Sequence, residues 1–199
     1  MRDAAKAEGF SIKVTSAYRS IAEQKALYEK FLLTDPVHIV DQTCARPGYS
    51  EHHTGLALDI EGSIKGGRNI AKTPECAWLK ENCHKYGFVV RYPAGKEGWT
   101  GIEDYTYCLR YVGVAHATYM YQNGLCFEEY IELLKNNYGS SAKRLSIAAA
   151  DGYTYEVYYQ PTAGQDVVTL DIPSNYNYTV SGDNRSGFIV TVKMTAPAA

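Results

Sequence analysis

Apolar positions in the first two thirds of the chain change period several times. Residues 1–9 carry a helical pattern, and the segment from Phe10 to Ser16 alternates as a strand does. From Ile21 to Leu33 apolar residues (Ala22, Leu27, Phe31) return at helical spacing until Asp35-Pro36 stops them. The stretch 34–51 has no such period and holds Pro36, Pro47 and Gly48, which predicts a long loop of the kind that is usually functional or disordered. LALDI after Gly55 predicts a short apolar strand, 75–86 a helix closed by Gly87, and FVVRYP and CLRYVG two further strands. Val114 to Asn123 and FEEYIELLKNNYG read as the last two helices.

Beyond 139–143 the helical period disappears. SIAAA, YTYEVYY, VVTLDI, YNYTV and GFIVTV are short runs rich in β-branched and aromatic residues, separated by Asp-Gly, Pro, Asn and Ser-Gly turns. The pattern therefore predicts an α+β domain over 1–138 and a small all-β domain over 139–199. In the first, an antiparallel sheet of VTSAY, LALDI, FVVRY and CLRYV has helices packed against it. Strands and helices do not alternate regularly enough for a doubly wound parallel sheet.

Composition narrows the function classes. Hydrophobic residues make up 45% and charged residues 21%, enough for a packed core. The net charge is −2 with Lys and Arg scattered, which argues against a nucleic-acid partner. No apolar run approaches the ~20 residues needed to span a bilayer. MRDAAKAEGF lacks the apolar stretch of a signal peptide and reads as the middle of a helix, so an upstream signal or anchor is expected outside this sequence. The five cysteines, Cys44, Cys76, Cys83, Cys108 and Cys126, form no paired framework.

The densest chemistry lies at Ser50-Glu51-His52-His53-Thr54-Gly55-Leu56-Ala57-Leu58-Asp59. His52 and Asp59 are good zinc ligands by type. Seven residues of straight helix would separate them by about 10.5 Å, and seven of strand by about 23 Å. Two ligands each ~2 Å from one ion tolerate neither distance. The chain must turn between them, and Thr54-Gly55 is where it can. By spacing alone the pair also fits a loop histidine and a strand-end aspartate with no shared role. A second feature is Ser16-Ala17-Tyr18-Arg19-Ser20 followed by Gln24, where Arg19 at a strand-to-helix junction can receive a carboxylate bidentately or serve as a surface arginine. Arg91-Tyr92-Pro93, Thr100-Gly101 and Cys108-Leu109-Arg110-Tyr111 carry no assigned chemistry by themselves.

Taken in order, SAYRS…Q at 16–24, ARPGYSEHHTGLALDI at 45–60, GFVVRYP at 87–93, TGI at 100–102 and LRYVG at 109–113 resemble the VanY-type D-alanyl-D-alanine carboxypeptidases. This zinc peptidase family includes VanX-like dipeptidases and LD-carboxypeptidases, and the resemblance covers roughly residues 1–135. It implies a zinc ion on His52, Asp59 and a second histidine from a Glu-Pro-Trp-His segment, whose Glu is the general base. It also implies Arg19 as the group that orients or polarises substrate, with Gln24 and Ser50 as secondary contacts. The implied partners are peptidoglycan stem peptides, and the implied location is extracytoplasmic.

The sequence departs from the pattern at that last segment. Counted without gaps, Glu-Pro-Trp-His falls on Tyr105-Thr106-Tyr107-Cys108. Cys108 can complete a His-Asp-Cys zinc site as a thiolate. Tyr105, at the position of the base, titrates near pH 10 when unperturbed, and the nearby Glu103 is the stand-in. His116 is either a displaced ligand or a packed helix residue. The expected function is a zinc-dependent carboxypeptidase-like protein of weak or lost activity; the alternative is a binding module for wall peptides without turnover.

Overall fold

One sheet of the chain separates an apolar core face from a polar one. The computed structural model describes residues 1–61, 73–102 and 104–194, with the backbone alone at 61 and 105–107. By internal contacts the chain divides into Met1–Gly113 and Val114–Ala199.

The first unit is a four-stranded sheet of order β1-β2-β4-β3, formed by β1 (Lys13–Ser16), β2 (Ala57–Glu61), β3 (Phe88–Tyr92) and β4 (Tyr105–Tyr111). Every ladder is antiparallel, as expected from the sequence. Side chains directly opposite each other share a face. Leu58 pairs with Leu109, and with Ile60 and Val90 they point to a core shared with Ala5 of α1 (Arg2–Ala7) and Trp78 and Leu79 of α4 (Pro74–Asn82). Asp59 pairs with Cys108 and so faces the other way, as do Ala57 and Arg110. The apolar face fixes the register, because a one-residue slip would bring Asp59 and Cys108 into the core.

Helix α2 (Ile21–Leu32) begins at a capping box, in which Ser20 accepts from the Glu23 amide and Glu23 accepts from that of Ser20. The 34–51 stretch is not a continuous loop. It contains α3 (Val37–Thr43), whose Val40 is buried with Tyr28 and Cys44. Seven residues rich in β-branched side chains give almost no helical signal, so this helix depends on its packing. A short helix α5 (Glu97–Thr100) precedes β4.

The second unit holds α6 (Val114–Asn123), α7 (Phe127–Asn137) and a four-stranded antiparallel sheet of order β5-β6-β8-β7. Its strands are β5 (Leu145–Ala148), β6 (Thr154–Pro161), β7 (Asn177–Gly182) and β8 (Gly187–Lys193). The two helices are tied to this sheet: Thr118 Oγ1 accepts from the Ala150 amide, and Lys135 pairs with Asp183 at 2.7 Å. The division therefore falls ahead of these helices, whereas composition placed it at 138. VVTLDI forms no strand. Between Gly164 and Pro173 it crosses the sheet, with Leu170 and Ile172 on Tyr158, Val190 and Val192, and Tyr158 donating to the Asp171 carbonyl. Its apolar pattern records that contact rather than a ladder.

Candidate metal centre

A 3-10 turn at Glu51–Thr54 brings His52 back over the sheet. Ser50 caps it, its hydroxyl accepting from the His52 amide at 3.3 Å, and Gly55 ends it in the left-handed region at φ 71°. This is the turn that the His52–Asp59 spacing requires at Thr54-Gly55. His52 Nδ1 lies 2.5 Å from the Ala17 carbonyl, which can only accept, so Nδ1 carries a proton and Nε2 is the nitrogen left to meet Asp59 or a metal. Nε2 stands 3.3 Å from Asp59 Oδ2. Cys108 enters from β4 beside Asp59, and the ligand atoms of His52, Asp59 and Cys108 all lie within 4.8 Å of one another.

These residues fit a zinc ion. Two nitrogen or oxygen ligands on one tetrahedral zinc stand about 3.4 Å apart, close to the His52–Asp59 separation. A backbone carbonyl on the second ring nitrogen is the usual way to orient a ligating imidazole. Nitrogen, oxygen and sulfur donors all suit zinc, and three of them leave a fourth position for water or substrate.

Burial works to lower the His52 pKa, but its hydrogen bond to Asp59 and that carboxylate's charge prevail and hold it above the usual value. Burial, then the Asp59 and Glu51 carboxylates, push the Cys108 thiol far above the ordinary range. Without a cation the group is a thiol, and a metal ion would displace its proton. The trio is not a cysteine-protease arrangement either, because both nitrogens of His52 are engaged by Ala17 and Asp59.

Arg19 lies beside the trio, with NH2 3.8 Å from Asp59 Oδ2. NH1 donates to Gln24 Oε1 at 2.6 Å and NH2 to Ser16 Oγ at 2.7 Å. Gln24 is 1% exposed and its amide donates to the Ala45 carbonyl, so it holds Arg19 in place and is not open to a ligand. Ser50 is buried too, as the cap of the turn. His53 is a second brace: Nδ1 meets the Arg19 carbonyl at 2.7 Å, and Nε2 accepts from the Gly48 amide.

Tyr105 lies on β4 opposite Tyr92, and Glu103 falls outside the described residues. His116 offers nothing to a metal. Its nitrogens are taken by Tyr130 Oη at 2.7 Å and Thr191 Oγ1 at 2.9 Å, inside the second unit. Sequence reasoning missed one cluster. Glu51 bridges Arg91, at 2.9 Å, and Arg110. Burial tends to raise the Glu51 pKa, but the two guanidiniums outweigh it and hold the carboxyl below its usual range, which makes Glu51 a poor general base. The signal available was a glutamate adjoining His52 and an arginine two residues past Cys108, on the same strand face.

The family model for VanY, D-alanyl-D-alanine carboxypeptidase, matches residues 1–114, ending one residue past the first unit. This chain belongs to the VanY family. A D-alanyl-D-alanine carboxypeptidase of Enterococcus faecium is 35% identical over 193 residues, covering 96% of this chain and 57% of the relative. The chain thus spans little more than half the length of that relative. Among solved structures, the vancomycin-resistance D,D-dipeptidase VanXYg, in complex with a D-Ala-D-Ala phosphinate analog, has a TM-score of 0.83 at 34% identity, over 94% of this chain and 75% of that one. A vancomycin-resistance D,D-pentapeptidase VanY in complex with Zn(II) has a TM-score of 0.56 at 34% identity, over 65% of this chain and 76% of that one.

Proposed function

We propose that this chain is a zinc-dependent D-alanyl-D-alanine carboxypeptidase-like protein that acts on peptidoglycan stem peptides with weak turnover. The observation that carries this reading is the His52–Asp59–Cys108 trio on the polar sheet face. The names and ligands of the relatives support the substrate class. Zinc, when bound, polarises the scissile carbonyl and acidifies water. Arg19, held by Gln24 and Ser16, supplies the charged fork that meets a peptide carboxylate or developing negative charge.

Turnover is weak for two reasons. Losing a general base costs about 10²–10⁴-fold in rate, and Tyr105 stands where the family has that base. Glu103 is the remaining stand-in. A thiolate at Cys108 also gives a metal more charge than imidazole does, which weakens its acidifying effect. The alternative of a binding module without turnover is not favoured by the comparisons. Wall peptides lie outside the cytoplasmic membrane, so the proposed site of action is extracytoplasmic. No helix among the described residues is long and apolar enough to cross a membrane.

The test is release of D-alanine from a peptide ending in D-Ala-D-Ala, with and without a zinc chelator. Slow, chelator-sensitive release that Arg19→Ala removes is expected. Robust turnover indifferent to Glu103→Gln would show that another group is the base.

A further inference from the structure

We infer that Glu51 is a positioning residue of the metal centre: by bridging Arg91 and Arg110 it sets the separation between His52 and Cys108. The inference rests on the metal reading of the trio and extends it to residues with no donor atom in it.

The geometry begins with a lapse in the sheet. Between the pairs Val90–Leu109 and Tyr92–Tyr105, a single residue of β3, Arg91, stands opposite three of β4, 106–108. Such irregularities leave backbone unpaired and redirect side chains. Cys108 therefore sits at the edge of the interruption, paired to Asp59 on the β2 side but outside the regular ladder on the β3 side. His52 is mounted separately, on a 3-10 turn rather than on a strand. The backbone after the turn reaches β4 at Leu56, whose carbonyl accepts from the Tyr111 amide, and at Ala57, which pairs with Arg110, so the link from the turn itself to β4 is made by side chains.

Glu51 supplies that link. It adjoins His52 in the turn, and its two carboxylate oxygens take different strands: Oε1 accepts from Arg91 Nε at 2.9 Å, and Oε2 from Arg110 NH1. Arg110 lies two residues past Cys108 and so shares its face of β4. The side chains of Glu51, Arg91 and Arg110 are 17%, 8% and 15% exposed, which limits screening by solvent. A planar guanidinium fixes direction as well as distance, unlike an ammonium. One carboxylate thus ties the His52 turn to Arg91, where the pairing lapses, and to Arg110, which pairs with Val89 in the regular ladder. A ligand pair mounted on separate elements needs such a brace, since a displacement of a few tenths of an ångström is a large fraction of the tolerance of a metal–ligand bond.

The test uses the full chain loaded with Zn(II) or Co(II). Zinc affinity is read by competition with a chelator, and thiolate ligation by the charge-transfer absorption of the cobalt form. In folded Glu51→Gln, zinc should bind about 10–100-fold more weakly, the range found when groups behind metal ligands are removed. Its cobalt spectrum should shift, and Glu51→Asp should recover part of the affinity. Removing the carboxylate takes a negative charge from between two guanidiniums, so Arg110→Lys, which keeps the charge and loses the fork, is the companion variant and should move affinity in the same direction. A brace for the fold alone would lower the melting temperature without changing the affinity of the folded chain. Unchanged affinity and spectrum in these variants overturns the positioning role and leaves the metal reading intact. A wild-type chain that takes up neither ion overturns the metal reading and this inference with it.

Discussion

The two sheets share one plan and differ in what they leave unfinished. Both are four-stranded and fully antiparallel, and in chain order both run first, second, fourth, third. The ladders of the second sheet keep unbroken register, seven consecutive pairs between β6 and β8 and six between β7 and β8. The first sheet breaks register twice, beside Ser16 and at Arg91, and both breaks adjoin the metal trio or the arginines around it. Polar groups in the second unit are consumed locally. Asp183 accepts from the Arg185, Ser186 and Gly187 amides and pairs with Lys135, and His116 is closed between Tyr130 and Thr191. In the first unit, by contrast, an imidazole, a carboxylate and a thiol converge, their ligand atoms within 4.8 Å of one another. The lesson is that sheet order says little about chemistry, whereas interrupted register beside converging donors says much.

The largest expected effect tests the chemistry of the first sheet. Tyr105→Glu combined with Cys108→His restores the family's base and third ligand, and should raise D-alanine release by about 10²–10⁴-fold. A variant that binds zinc and gains no activity would mean that the scaffold around the trio has lost more than those two groups. In the second unit the corresponding perturbation, on α7, concerns stability alone. Leu134 is fully buried, and Leu134→Ala should cost about 2–5 kcal/mol in chemical denaturation while zinc content at low denaturant stays unchanged. Loss of metal in that variant would break the separation of roles.

Much of this contrast was legible in the sequence, because the signals were strong and local. LALDI and CLRYV are short strand-like runs, and if His52 and Asp59 share one ion, bond lengths require a turn between them, for which Thr54-Gly55 is suited. Placing Cys108 by counting between TGI and RYVG put it at the position where it pairs with Asp59. What stayed hidden depended on contacts distant in the chain. Helix α3 is too short and too β-branched to show a period, and VVTLDI has a strand's composition but lies across a sheet. The Glu51 bridge joins residues 40 and 59 positions apart, a separation over which no local pattern carries information. Gln24 looked like a substrate contact because its type suits that role; only its burial shows that it serves Arg19 instead.

A smaller effect sharpens the closed character of the second unit. Burial lowers the His116 pKa from 6.5 to about 4. Since the folded value lies below the unfolded one, the neutral ring's contribution is complete above pH 6.5. It is lost as pH falls toward 4 and changes little below that. The difference amounts to about 3 kcal/mol. His116→Gln, which does not titrate, should flatten the pH dependence of unfolding across that window; an unaltered profile would show that another group is responsible. Smaller still is Thr73→Ala. The Thr73 hydroxyl caps α4 by accepting from the Cys76 amide at 3.3 Å, and its loss should lower stability by about 1 kcal/mol in thermal or denaturant melts. No change in that variant would mean that Pro74 at the first turn suffices to start the helix.

The central claim is that the polar face of the first sheet holds a metal ion through His52, Asp59 and Cys108. Its most direct test is the metal content of wild type and His52→Ala, each loaded with Zn(II), freed of excess ion by gel filtration and compared at equal folded fraction. The account predicts equimolar zinc in the wild type and essentially none in His52→Ala. Equimolar zinc retained by His52→Ala, or a wild-type chain that emerges without zinc, would contradict it.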